Sequence, residues 1–278
     1  LPRALIAIDF DGTLLRSDAT LDPVDMKSLE GLAELDVVRV LATGRSLFSL
    51  RRALYAPLPV DYVLFSCGAG LVEWPSGRLV RELGLSSKET RDAARVLQDE
   101  EVDFMVHAPI PDNHRFLHWS VRGGNDDFQR RLALYPEHHA PLVSADELGE
   151  STQLIAIFPG TSSRLDEVRA RLLDYSCIRA TSPIDGKSNW LEVFPTGTSK
   201  ASGVAWLAAQ LGVDRAHTAA IGNDWNDEHL LEWAAESYVV SNAPCALKER
   251  YKIVKNHDER GVSEAIQSWK TKLSLESL

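Results

Sequence analysis

The chain has 278 residues, 44% of them hydrophobic and 25% charged, and carries a net charge of −10 at pH 7. That length and composition suit one large or two modest globular domains with a sizeable core. The acidic balance argues against backbone-driven nucleic-acid binding, and no apolar run approaches the length of a membrane span. Three scattered cysteines, Cys67, Cys177 and Cys245, suggest no disulfide framework, so the expectation is a reducing, cytoplasmic setting.

The first element is a short apolar run, Ala4 to Ile8, which reads as a buried strand. It stops at Asp9-Phe10-Asp11-Gly12-Thr13-Leu14. Two carboxylates at i and i+2 leave a strand end on the same side, and Gly12 lets the backbone turn tightly beside them. Two acids so close repel unless a cation or proton lies between them. A plain hairpin turn would need a second strand running straight back, whereas Arg16-Ser17-Asp18 follows and then a helix start at Asp22-Pro23. Val37 to Leu41 is the next strand, ending in Thr43-Gly44-Arg45-Ser46 before a helix. A hydroxyl, a glycine and a helix N-terminus together can hold an anion through backbone N–H groups. A third strand, Val60 to Ser66, runs into Ser66-Cys67-Gly68-Ala69-Gly70. Neither a dinucleotide fingerprint nor a thiol-phosphatase loop fits, because Glu73 stands where each needs its next residue. Cys67 reads as a small residue in a turn. Leu71 to Leu83 reads as a hairpin.

Composition shifts at Ser86, where an amphipathic helix opens. Strands at 104–107, 115–121, 154–158 and 176–181 and helices at 126–135 and 165–173 predict a sheet with helices on one side, an α+β insertion spanning 85–187. His114 and His118 have a zinc-like spacing but no second ligand pair. His138 and His139 read as plain surface. Asn113, His114, Arg115 and Trp119 flank a proline-stiffened loop and are candidates for contacting the leaving group of a substrate.

Asn189 to Phe194 reads as the strand on which the first fold resumes. Ser199-Lys200 then opens a helix closed by Gly212. A lysine in the first turn is unfavourable on dipole grounds, which asks for a use. Thr218 to Ile221 is another buried strand, ending in Gly222-Asn223-Asp224-Trp225-Asn226-Asp227. Strand–helix alternation with polar clusters at strand ends predicts an α/β fold. Its core, residues 1–84 and 188–278, is a doubly wound, mostly parallel sheet with its site in the crevice at the strand C-termini.

Taken together, the clusters around Asp9, Thr43, Lys200 and Asn223 resemble, in order, the four motifs of the haloacid-dehalogenase-like phosphohydrolases, Cof-type branch. The resemblance implies an inserted cap domain and a Mg²⁺-dependent phosphatase of small phosphate esters, sugar phosphates above all. In that picture Asp9 is the nucleophile and Asp11 the general acid/base. Thr43 and Lys200, with Gly12, Thr13, Gly44 and Arg45, hold the phosphate. The metal ligands are Asp9, the Asp11 carbonyl and Asn223. Asp224, Asn226 and Asp227 are supporting residues. The chain departs from the branch twice. Cys67 stands where Asn is usual, and Asn223 stands where Asp is usual, leaving Asp224 as a competing ligand. A receiver-like phospho-Asp switch would be about half this length, with its acceptor on the third strand. A catalytically weak binding protein of the same fold is the remaining alternative.

Overall fold

The structure, a computed structural model, describes residues 2–121, 124–160 and 164–275. The chain divides into two compact units, residues 1–81 with 199–278, and residues 82–198.

The first unit is built on a sheet of strands β1 (Ala4–Ile8), β2 (Val37–Ala42), β3 (Tyr62–Phe65), β4 (Gly70–Glu73), β5 (Leu79–Glu82), β12 (Thr218–Gly222), β13 (Glu236–Val240) and β14 (Lys252–Val254). Their order is β14-β13-β12-β1-β2-β3-β4-β5. All pairings from β14 to β3 are parallel, and β4 returns antiparallel on β3. β1 is central: the chain leaves it for β2 on one side and returns to β12 on the other. Such a switch of direction opens a crevice beyond the strand C-termini.

Alternation along the strands explains the helices on both faces. Leu5 and Ala7 of β1 and Val40 and Ala42 of β2 pack with Val204, Leu207 and Ala208 of α6 (Lys200–Leu211) and with Leu230 and Leu231 of α7 (Glu228–Trp233). On the other face α1 (Pro23–Ala33) packs against α9 (Gly261–Leu275). Their contact is fixed by Ser263, whose N–H donates to Asp25 Oδ1 at 2.8 Å. Two shorter helices, α2 (Leu47–Ala53) and α8 (Cys245–Lys248), follow β2 and β13. Asp22 accepts from the Val24 N–H and starts α1 just ahead of Pro23, as its sequence implies.

The second unit is a six-stranded sheet ordered β10-β11-β9-β6-β7-β8. Its strands are β6 (Asp103–His107), β7 (Phe116–Trp119), β8 (His139–Pro141), β9 (Gln153–Phe158), β10 (Ser176–Thr181) and β11 (Asn189–Phe194). Helices α3 (Ser87–Asp99) and α5 (Arg164–Ala170) cover one face, where Ala93, Leu97 and Val168 meet Phe104, Val106, Leu154 and Leu191.

Three expectations need correction here. First, Asn189–Phe194 is not the strand on which the core resumes. It pairs antiparallel with β9 and β10 inside the second sheet, so the boundary expected at 187–188 lies after Thr198. Every residue of β11 is buried, and a strand buried on both faces reads like a parallel core strand. Second, the helices are not all on one side. α4 (Asp126–Ala133) sets Phe128 against His118 and Arg131 over Phe116 and Trp190, on the face opposite α3. Third, His139 is in a strand, paired parallel with Phe116. Three residues ending in proline carry too little alternation to be recognised.

Candidate active site

β1 delivers Asp9 to the C-terminal edge of the sheet. Its N–H donates to the Ile221 carbonyl at 2.9 Å, so β12 fixes its backbone. The next residues wind tightly: the N–H groups of Thr13, Leu14 and Leu15 all converge on the Phe10 carbonyl. Gly12 is at φ +72°, and a Cβ there would lie 2.5 Å from Asn223 Nδ2. The glycine is therefore required both by its left-handed backbone and by the close approach of the β12 loop.

Lys200 is the hub. As the first residue of α6, it is placed by Ser199, whose side chain accepts from the Ser202 N–H in a reciprocal capping box. Lys200 Nζ donates to Asp9 Oδ1 and to Asp227 Oδ1, both at 2.7 Å, and lies 3.3 Å from Asn226 Oδ1. Lys200 is 1% exposed, Asp9 3% and Asp227 0%, so one cation serves two carboxylates away from water. Burial pushes the Asp9 carboxyl up to about 7. Asp227 adds to the rise and Lys200 opposes it. For Lys200, burial works against the charge, but Asp227 and Asp9 outweigh it and hold the ammonium well above the usual lysine range. The dipole penalty of a lysine in a first helical turn is thus offset by two buried anions.

Asp227 has a second task. Its Oδ2 accepts from the N–H groups of Asn223 and Asp224, at 2.9 and 3.2 Å. Gly222 makes room: a Cβ there would lie 2.6 Å from the Asp227 carboxylate carbon. Asp224 is tied into the turn through its backbone: its N–H donates to Asp227 Oδ2 and its carbonyl accepts from the Asp227 N–H at 3.0 Å. Asn223 instead faces the first loop, where its Oδ1 accepts from Thr13 Oγ1 at 3.2 Å.

Thr43 directly follows β2, fully buried, with its Oγ1 accepting from the Arg45 N–H at 3.1 Å. Gly44 lies in the bend between β2 and α2. Ser46 caps α2, accepting from the Ser49 N–H. The Arg45 guanidinium, expected at a phosphate, is directed at Asp11. Nε lies 2.8 Å from Oδ2 and Nη2 lies 2.6 Å from Oδ1, the bidentate geometry that matches a planar fork to a carboxylate. It also lies over the Phe10 ring. Ser66 and Cys67 follow β3 with φ of +47° and +51°. Cys67 is buried, and its N–H donates to the Thr43 carbonyl.

The donors available to a cation are all hard oxygens: the Asp9 carboxylate, the Asp11 carbonyl and Asn223 Oδ1. Lys200 takes up Asp9 Oδ1, and Asn223 Oδ1 is turned toward Thr13 in the loop that follows Asp9. Such a set fits Mg²⁺, which takes one or two carboxylates and completes its shell with other oxygens. Among the described residues no three His, Cys, Asp or Glu side chains gather as a metal site.

The candidates of the second unit are dispersed. Asn113 is buried, its carbonyl 2.8 Å from His107 Nδ1. Trp119 packs against the hydrophobic core of that unit. His114 meets His138 edge-on while His118 meets His139, so the two do not form a shared metal pair. Arg115 is exposed and, with His107, His138 and His139, lines a cavity of about 430 Å³.

Two features escaped the sequence. One is the Arg45–Asp11 pair, for which no spacing signal exists. The other is Asn242, just past β13, whose Nδ2 donates to the Gly12 carbonyl at 2.8 Å. A polar residue at the C-terminal end of a parallel strand could have flagged it.

A family model of haloacid dehalogenase-like hydrolases matches residues 6–266. The 5-amino-6-(5-phospho-D-ribitylamino)uracil phosphatase of Bacillus subtilis is 23% identical, over 93% of this chain and 95% of its own. An HMP-PP phosphatase of Enterobacter is 26% identical over 86% of this chain and 84% of its own. A solved phosphatase of the haloalkanoate superfamily from Bacteroides thetaiotaomicron superposes with a TM-score of 0.77. It is 20% identical and covers 97% of this chain and 96% of its own.

Proposed function

The chain belongs to the haloacid dehalogenase-like hydrolases, and from that membership we propose that it is a Mg²⁺-dependent phosphatase. Its substrate is a small phosphate monoester, a sugar phosphate in the first instance, hydrolysed through a covalent aspartyl phosphate on Asp9. The observation that carries the reading is the buried Asp9–Lys200–Asp227 triad at the sheet's central strand end. A nucleophile in this position needs a positive neighbour to keep it ionised and to receive the phosphoryl charge. The relative that acts on a phosphoribityl compound supports the substrate class.

The residues divide the work. An Asp9 oxygen attacks phosphorus in line, and the bond from phosphorus to the ester oxygen breaks. Asp11 gives its proton to the departing alkoxide, then takes one from the water that attacks phosphorus and frees Asp9. Lys200, the Thr43 hydroxyl and the Gly44 N–H hold the phosphoryl oxygens. Asp227 keeps Lys200 aimed at Asp9. Asp9, the Asp11 carbonyl and Asn223 would hold Mg²⁺, which would supply positive charge to offset that of the phosphoryl group. Asp224, engaged in its own turn, supports Asn223 without replacing it. In the second unit, Arg115 and His114 are the exposed and part-exposed candidates for the leaving group.

The test is a panel of phosphate esters assayed with and without Mg²⁺, with wild type and Asp9→Asn side by side. Mg²⁺-dependent phosphate release that disappears in Asp9→Asn is the expected result. Release that survives the substitution overturns the proposal.

A further inference from the structure

We propose that Asn242 is a positioning residue of this site, acting through Gly12; the proposal rests on the phosphatase reading above. Asn242 follows β13, which is separated from β1 by β12 in the sheet. A turn closed by the Ala243 N–H on the Val240 carbonyl places it at the same C-terminal edge as Asp9. From there its side chain reaches past the end of β12. Nδ2 donates to the Gly12 carbonyl at 2.8 Å, and Oδ1 accepts from the His257 N–H at 3.3 Å.

The consequence follows from how Gly12 is held. With φ at +72° its backbone lies between two amides, since a Cβ on it would meet Asn223 Nδ2 at 2.5 Å and Asn242 Nδ2 at 3.7 Å. Gly12 joins Asp11 to Thr13, and Thr13 Oγ1 donates to Asn223. Glycine resists rotation of its peptide less than any other residue. An external donor on its carbonyl therefore fixes the plane of the 12–13 peptide and, with it, the position of Asp11 and the Thr13–Asn223 contact. The same turn is held further along: Asp258 accepts from the Ser17 N–H at 2.9 Å, and Arg260 reaches Asp22 at 3.3 Å. Asn242 is the brace nearest the reacting groups. It is exposed, so its truncation opens no cavity in the core.

The experiment uses p-nitrophenyl phosphate with Mg²⁺ and compares wild type, Asp9→Asn, Asn242→Ala and Asn242→Asp. Asn242→Ala loses both hydrogen bonds. Asn242→Asp keeps the acceptor for His257 but loses the donor to Gly12. The expected result is a fall in kcat of about tenfold in both variants, because a small displacement of a catalytic group is costly. KM should shift less than about twofold in Asn242→Ala, with the melting temperature at the wild-type value. Wild-type kcat in Asn242→Ala overturns the inference alone. So does wild-type kcat in Asn242→Asp, which would assign the role to the His257 contact. Wild-type turnover that is absent, or that persists in Asp9→Asn, overturns the phosphatase reading and this inference with it.

Discussion

Asp9 and Asp227 share a single ammonium, and the chemistry of each residue follows from that sharing. Asp9→Asn removes the proposed nucleophile while Asp227 still holds Lys200. Turnover should fall by ~10³-fold or more with the fold unchanged by circular dichroism. Asp11→Asn keeps the backbone carbonyl that a cation would use, so Mg²⁺ binding should persist while kcat drops by about 10²–10⁴-fold. A variant that lost both together would move the metal to the Asp11 side chain. Asn223 makes the opposite kind of prediction. An amide in the donor set supplies an oxygen but no charge. Asn223→Asp should bind Mg²⁺ more tightly in the absence of substrate, as read by calorimetry. Asp224→Ala should leave that affinity close to wild type, because it is the Asn223 side chain that reaches the loop after Asp9. The reverse pattern would make Asp224 the ligand.

At the scale of elements, α6 matters for where it begins. Ser199 and Ser202 cap one another, and the first residue of the helix after the cap is Lys200, the hub of the candidate site. Ser199→Ala should cost about 1 kcal/mol of stability, the usual value of an N-cap. It should also lower kcat, because Lys200 loses its fixed starting point. A stability loss without any kinetic effect would separate the cap from the site. The helix was legible in the sequence from its apolar stripe, its serine start and Gly212, which ends it at φ +70°. β11 was legible as a strand yet assigned to the wrong sheet. Its six buried residues show that it is interior, and nothing local says against which partners. Pairing is decided by the tertiary register with β9 and β10.

Across the whole molecule, acid sensitivity should be concentrated in the second unit. Burial pushes the His107 imidazole down to about 3, with Arg131 adding to the effect, and burial also lowers His114 and His118. A histidine whose folded value lies below its unfolded one contributes its full stability above about pH 6.5. It loses that contribution as pH falls toward the folded value, because the unfolded chain binds the proton first. His107 alone should make the protein about 2 kcal/mol less stable at pH 5 than at pH 7.5. Denaturant titrations at the two pH values should show a smaller difference in His107→Phe, whose ring carries no proton to bind. An equal difference in variant and wild type would assign the acid sensitivity elsewhere.

What the sequence determined by itself is local chemistry at fixed offsets. Asp9-Phe10-Asp11-Gly12 after an apolar run, Thr43-Gly44-Arg45 before a helix, and Ser199-Lys200 at a helix start are each decided by a few adjacent residues, and strand–helix alternation puts them at one edge of a sheet. Tertiary structure decided which of these groups touch. That Lys200 stands between Asp9 and Asp227, that Arg45 grips Asp11, and that Asn242 holds Gly12 are contacts between residues 27 to 230 positions apart. Only the folded sheet, by bringing the ends of β1, β2, β12 and β13 together, sets those distances. The boundary of the inserted unit is the same kind of fact. It depends on which strands exchange backbone hydrogen bonds, and every buried strand offers the same donors and acceptors.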